Sequence, residues 1–119
     1  MMYVALSNLG AIITLGLGVL GLFAPTRASS FANVQPVGII GKSEIRATYG
    51  GLFVALGATC LLTQAPGVFL AAGLAWVGAA IGRLFSVVID SSRSAKNLGG
   101  IVFELGIGLL LLSQHVAAA

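Results

Sequence analysis

The chain has 119 residues, of which 58% are hydrophobic and only 8% charged, and its formal net charge is +3 at pH 7. An ordinary soluble domain carries roughly a quarter charged residues, and so short a chain has too much surface for its volume to keep this composition away from water. A soluble single domain is therefore excluded; so is a nucleic-acid surface, because the positive excess is not gathered into a basic run interleaved with aromatics.

Lipid is the solvent that removes the conflict, and about 20 apolar residues span its hydrocarbon core of roughly 30 Å. Four stretches meet that length. The first, 3–23, has no charge and is ended by Pro25. It lacks a basic leader and a convincing small-x-small cleavage site, so it is expected to be retained rather than removed as a signal peptide. The connection 24–43 mixes Ser, Asn, Pro and Gly with Phe31, Val34, Val37, Ile39 and Ile40, a pattern expected to lie along the interface rather than to cross. The second stretch, 45–63, carries Arg46 near its start and closes at the turn Gln64-Ala65-Pro66-Gly67. The third, 68–89, contains Arg83, and the fourth, 98–116, contains Glu104. Between them, residues 90–97 read as a polar turn rich in capping residues. The expectation is an all-α fold: one integral membrane domain over 1–119, a four-helix bundle.

Threading the four spans separates the charges. Arg27, Lys42 and Glu44 in the first connection fall on the same side as Asp90, Arg93 and Lys96 in the third. The short second connection and both chain ends face the other way and carry no Lys, Arg, Asp or Glu. Because Lys and Arg collect in cytoplasmic loops, the charged side is expected to be cytoplasmic and both termini non-cytoplasmic. The remaining charges, Arg46, Arg83 and Glu104, lie within the spans, the last two roughly 9 to 11 Å from the cytoplasmic boundary at the helical rise. A charge at such depth costs roughly 2.5 to 3.5 kcal/mol on insertion scales, which predicts an Arg83–Glu104 pair inside the bundle, with Arg46 and Glu44 near its mouth.

The helical faces agree. Gly100, Glu104 and Gly108 recur every four residues, while Trp76, Ala79, Ala80 and Arg83 share a face of the third span. Gly78 and Gly82 form a small-xxx-small pair beside it. The second span presents Arg46, Tyr49, Gly50, Phe53 and Gly57 together, so the Tyr49 hydroxyl is within reach of the charged cluster. Glu44, Arg46, Tyr49, Arg83 and Glu104 thus form the candidate intramembrane polar cluster, with Asp90 as the candidate loop residue. Bland readings stand beside these. A paired Arg and Glu fixes helix register as readily as it binds a ligand, and the glycines pack helices. The GxGxxG match at residues 16–21 lies mid-span with no strand before it and is accidental. Cys60 is a lone packing residue. No nucleophile-base-acid set, metal-ligand spacing or phosphate loop is present, so no catalytic residue, metal or cofactor is expected.

The run Glu44-Ile45-Arg46-Ala47-Thr48-Tyr49-Gly50-Gly51, the Gly82-Arg83 pair followed by Asp90, and Phe103-Glu104-Leu105 together resemble a family of small bacterial four-helix membrane proteins, domain of unknown function 4345. The resemblance covers most of the chain, and its most specific part is E-I-R-x-x-Y-G-G. By carry-over it implies that Glu44, Arg46, Tyr49, Gly50, Gly51, Arg83, Asp90 and Glu104 are signature positions; Asp90-Ser91-Ser92 departs from the family's Asp-Gly turn. The outline is also similar to DoxX-like four-helix membrane proteins. Neither resemblance implies an activity. Two functional expectations follow: a structural or accessory subunit of a bacterial cytoplasmic membrane, docking in a homo-oligomer or larger complex, and a small-molecule or ion binding or transport protein with a polar pocket in the cytoplasmic half. An oxidoreductase accessory role rests on the DoxX-like outline alone. The expected partners are the lipid bilayer and other membrane subunits, with no nucleic acid.

Overall fold

The computed structural model describes residues 1–118, which are largely helical with no strand among them. Helix α1, Met2–Phe23, runs 22 residues without proline or charge. It stops at Ala24, which the ring of Pro25 pushes out of the helical region (φ −132°, ψ 64°). Pro25 then opens α2, Pro25–Ala32, at the position where a missing N–H costs nothing. Asn33 ends α2 in the left-handed conformation, its N–H returning to the carbonyls of Ser29 and Ser30.

Gly38, at φ 65°, turns the chain into the next helix. This is α3, Gly38–Ile45, continued by a π-helical segment, Arg46–Gly51, and by α4, Leu52–Thr63. Together they make one helix of 26 residues, Gly38–Thr63. It begins seven residues before the expected start at residue 45, because nothing between Ile39 and Thr63 breaks a helix once Pro36 and Gly38 are passed. The latter part of the 24–43 connection is accordingly helical.

Gln64, left-handed at φ 51°, and Pro66 form the turn into α5, Pro66–Ile89, 24 residues long. Ser91 (φ 56°) reverses the chain again. Ser94 caps α6, Ala95–Leu111, by accepting the Asn97 N–H at 3.1 Å. The expected fourth span, 98–116, is divided: α6 ends after 17 residues, Leu112 turns, and α7 runs from Ser113 to Ala118.

Three helices, Met2–Phe23, Gly38–Thr63 and Pro66–Ile89, are long and apolar enough to cross a membrane, consistent with a membrane protein. Bulky apolar side chains, among them Ile12, Leu62, Leu74, Phe85 and Val102, stand exposed along the helices, as side chains facing lipid do.

The chain forms two compact units. In the first, residues 1–10 with the chain from 64 on, α5 and α6 pack as a hairpin. They meet closely where Gly73 lies against Gly108 and Leu112. Phe69, Trp76, Ile107 and Leu111 are buried here. Ser7 is fully buried and joins the α6–α7 break: its hydroxyl donates to the Leu111 carbonyl at 3.2 Å and accepts from the Gln114 N–H at 3.4 Å. Asn8 and Gln64 exchange amide bonds of 3.2 and 2.7 Å. In the second unit, residues 11–63, the rest of α1 crosses the long helix, and Ala11, Thr14, Ala28, Ile45 and Cys60 are buried.

Candidate functional site

Arg83, six residues before the end of α5, and Glu104, midway along α6, are isolated charges in apolar runs. The hairpin brings them together. The Arg83 Nε donates to Glu104 Oε1 at 2.8 Å and Nη2 to Oε2 at 3.0 Å. This two-pronged geometry matches the planar guanidinium to the carboxylate and is the strongest form of such a pair. The two side chains are 30% and 13% exposed, so the pair is removed from most of its screening surroundings. Gly100 faces the guanidinium: a Cβ there would stand 3.1 Å from Arg83 Nε and 3.2 Å from its Cδ, so the arginine would have to give by a few tenths of an ångström.

The third arm of the guanidinium extends the site toward the loop. Arg83 Nη1 donates to Asn97 Oδ1 at 2.7 Å. Asn97 Nδ2 in turn donates to the Ser92 carbonyl at 2.7 Å and to Ser92 Oγ at 3.0 Å. Ser92 and Ser86 hydroxyls lie 3.0 Å apart, and Ser86 Oγ donates to Asp90 Oδ2 at 2.9 Å. Because the Ser86 proton goes to Asp90, the Ser92 proton points to Ser86. Every donor in the chain then points the same way, from the Arg83 cation to the Asp90 carboxylate, an alignment in which each bond polarises the next.

Asn97, Ser92 and Ser86 were not singled out from the sequence. The signal that finds Asn97 is the Ser94-x-x-Asn97 capping spacing, which fixes the first turn of α6; no sequence signal marks Ser86 or Ser92.

Glu44, Arg46 and Tyr49 belong to the second unit. The Arg46 guanidinium donates through Nη1 to the Leu22 carbonyl, one of the last-turn carbonyls that α1 cannot satisfy internally. A cation there also meets the negative end of the helix dipole. Tyr49 packs edge-on to Phe53, ring centroids 6.0 Å apart at 76°, and its hydroxyl makes no hydrogen bond among the described residues. Glu44 is exposed.

All three sit at or beside the π-helical segment, whose signature is the Leu52 N–H bonded to the Ala47 carbonyl five residues back. Gly50 is buried in it, and a Cβ there would lie 2.7 Å from the Leu22 nitrogen; Gly21 rests likewise on the Tyr49 carbonyl. The backbones of the two helices therefore touch at this crossing, which only small residues allow. A π-turn holds one residue more than an α-turn, so it rotates everything upstream by about one residue position, roughly 100°. Continued as plain α-helix, the chain would put Arg46 where Ile45, 3% exposed, now sits. The π-segment keeps the isoleucine in and the cation on Leu22.

Among the described residues, no three of His, Cys, Asp and Glu stand close enough to hold a metal ion. The family model of a domain of unknown function (DUF4345) matches residues 4–115. No curated protein and no solved structure matches the chain.

Proposed function

The chain belongs to the DUF4345 family of unknown function, and from that premise we propose that it is a non-enzymatic integral membrane protein, a structural or accessory subunit that docks in a homo-oligomer or a larger membrane complex. The observation that carries docking is the division among the glycines. Gly50, Gly73, Gly100 and Gly108 lie against neighbouring elements, whereas Gly78 and Gly82, one turn apart on the exposed side of α5, have open space where a side chain would stand. Small residues spaced by four let another helix approach closely in lipid. The Arg83–Glu104 pair supports a structural role, since both carboxylate oxygens are engaged by the guanidinium.

In this reading α1, the long helix, α5 and α6–α7 cross four times as a single bundle. The charged connections lie on the cytoplasmic side of a bacterial inner membrane and both termini outside. The test is crosslinking in native membranes with Ala79→Cys in a Cys60→Ser background. Adducts of defined mass that disappear with Gly78→Leu/Gly82→Leu support the reading; a monomer under all conditions overturns it.

A second reading, a small-molecule or ion binding or transport protein with a polar pocket in the cytoplasmic half, is favoured by one observation. The hydrogen-bonded chain from Glu104 reaches the exposed Asp90, which links the buried pair to the aqueous side. Uptake or ligand binding unchanged in Arg83→Leu/Glu104→Leu would remove it.

A further inference from the structure

The helix Gly38–Thr63 is longer than the membrane it is proposed to cross. Its 26 residues extend about 39 Å at the helical rise, against a hydrocarbon core of roughly 30 Å. With the Thr63 end at one boundary, the other falls near Glu44, about 20 residues back. The turns before Glu44 then enter the headgroup layer.

Highly exposed aliphatic side chains stand there. Val37 and Ile39 are each 85% exposed and Ile40 is 76% exposed, with Phe31 of α2 at 56%. Two cations flank them: Arg27 on the exposed side of α2, and Lys42, one turn beyond Ile39. Neither takes part in an ion pair among the described residues. Glu44, also exposed, is the one acid in this stretch, so the cations outnumber it.

Resting on the membrane-spanning reading above, we infer that residues 27–42 form an interfacial docking surface for anionic phospholipid. Val37, Ile39 and Ile40 lie among the headgroups above the acyl boundary, and Arg27 and Lys42 hold headgroup phosphates. Apolar tips with flanking cations are the arrangement that binds an anionic leaflet, and a net-negative headgroup answers unpaired cations where a zwitterionic one supplies its own. A protein partner would more naturally bring carboxylates to Arg27 and Lys42, but nothing in its chemistry calls for three aliphatics at the depth of the headgroups.

The test is native mass spectrometry of the full chain in neutral detergent, titrated with phosphatidylglycerol or phosphatidylcholine. Wild type should prefer phosphatidylglycerol. Arg27→Gln/Lys42→Gln should lose roughly fivefold in that affinity per cation, the ~1 kcal/mol of a juxtamembrane Lys or Arg. Ile39→Ser/Ile40→Ser should weaken both lipids alike. Equal binding of the two lipids, an unchanged preference in the double variant, or Ile39→Cys crosslinking to a protein instead of lipid would overturn the inference. Alkaline carbonate washing separates the two levels. Wild type released from membranes defeats the spanning reading and this inference with it; wild type retained without lipid preference defeats this inference alone.

Discussion

Arg83 and Glu104 are joined by two parallel bonds, 2.8 and 3.0 Å long, between neighbouring antiparallel helices. Breaking one partner of a buried pair leaves an uncompensated charge, which costs roughly 3 to 5 kcal/mol. Arg83→Leu and Glu104→Leu should each lower membrane yield and the thermal midpoint in detergent, and the double variant should recover much of the loss. A loss in the double variant equal to the sum of the two single losses, or three unchanged yields, would show that the two residues are not coupled.

Asn97 bridges the ion pair to the loop, accepting from Arg83 and donating to Ser92. Asn97→Ala leaves part-buried groups at both ends without this partner, an effect of about 1 to 3 kcal/mol. Hydrogen exchange should then rise at residues 90–96. Protection at wild-type levels would mean that the chain from Arg83 to Asp90 is not formed.

The π-helical segment contains one residue more than an α-helix needs between the same two faces. Deleting exposed Thr48 should convert it to α-helix while returning Ile45 to its buried position, so the variant should fold at near wild-type yield. Deleting Ala47 and Thr48 together should move a charged residue into that position and abolish accumulation. If the single deletion is as damaging as the double, the register argument is wrong.

Ser7 closes the break between α6 and α7 from 104 residues away in sequence. Ser7→Ala should cost about 1 to 3 kcal/mol, since Leu111 and Gln114 each lose a partner at a fully buried site. Scanning thermal stability checks this; Ser7→Thr, which retains the hydroxyl, should lose less than Ser7→Ala.

The all-helical fold was legible because helix-length apolar runs separated by Pro, Gly and polar turns leave little alternative. Arg83 and Glu104 stand in the sequence as lone charges at matching depth in adjacent apolar stretches. Three features lay beyond such reading. No propensity distinguishes a π-turn from an α-turn, so Arg46–Gly51 reads as ordinary helix until its crossing with Gly21 is seen. The break at Leu112 interrupts an apolar run that looks continuous, and the group that satisfies it, Ser7, is at the other end of the chain. Ser92 resembles a solvated turn residue and Ser86 a small polar residue near the end of a span; only the fold of the loop joins Ser92 to Asn97 and Ser86 to Asp90.

The claim on which the rest depends is that the chain crosses the membrane four times, with α6–α7 as the last crossing. Three helices meet the length for a span, while α6 has 17 residues before its break, so the final crossing is the one to measure. In a Cys60→Ser background, Arg93→Cys and Ala117→Cys should be labelled by a membrane-impermeant maleimide from opposite sides of the inner membrane, Arg93→Cys from the cytoplasm. Labelling of both from the same side would contradict the four-crossing account.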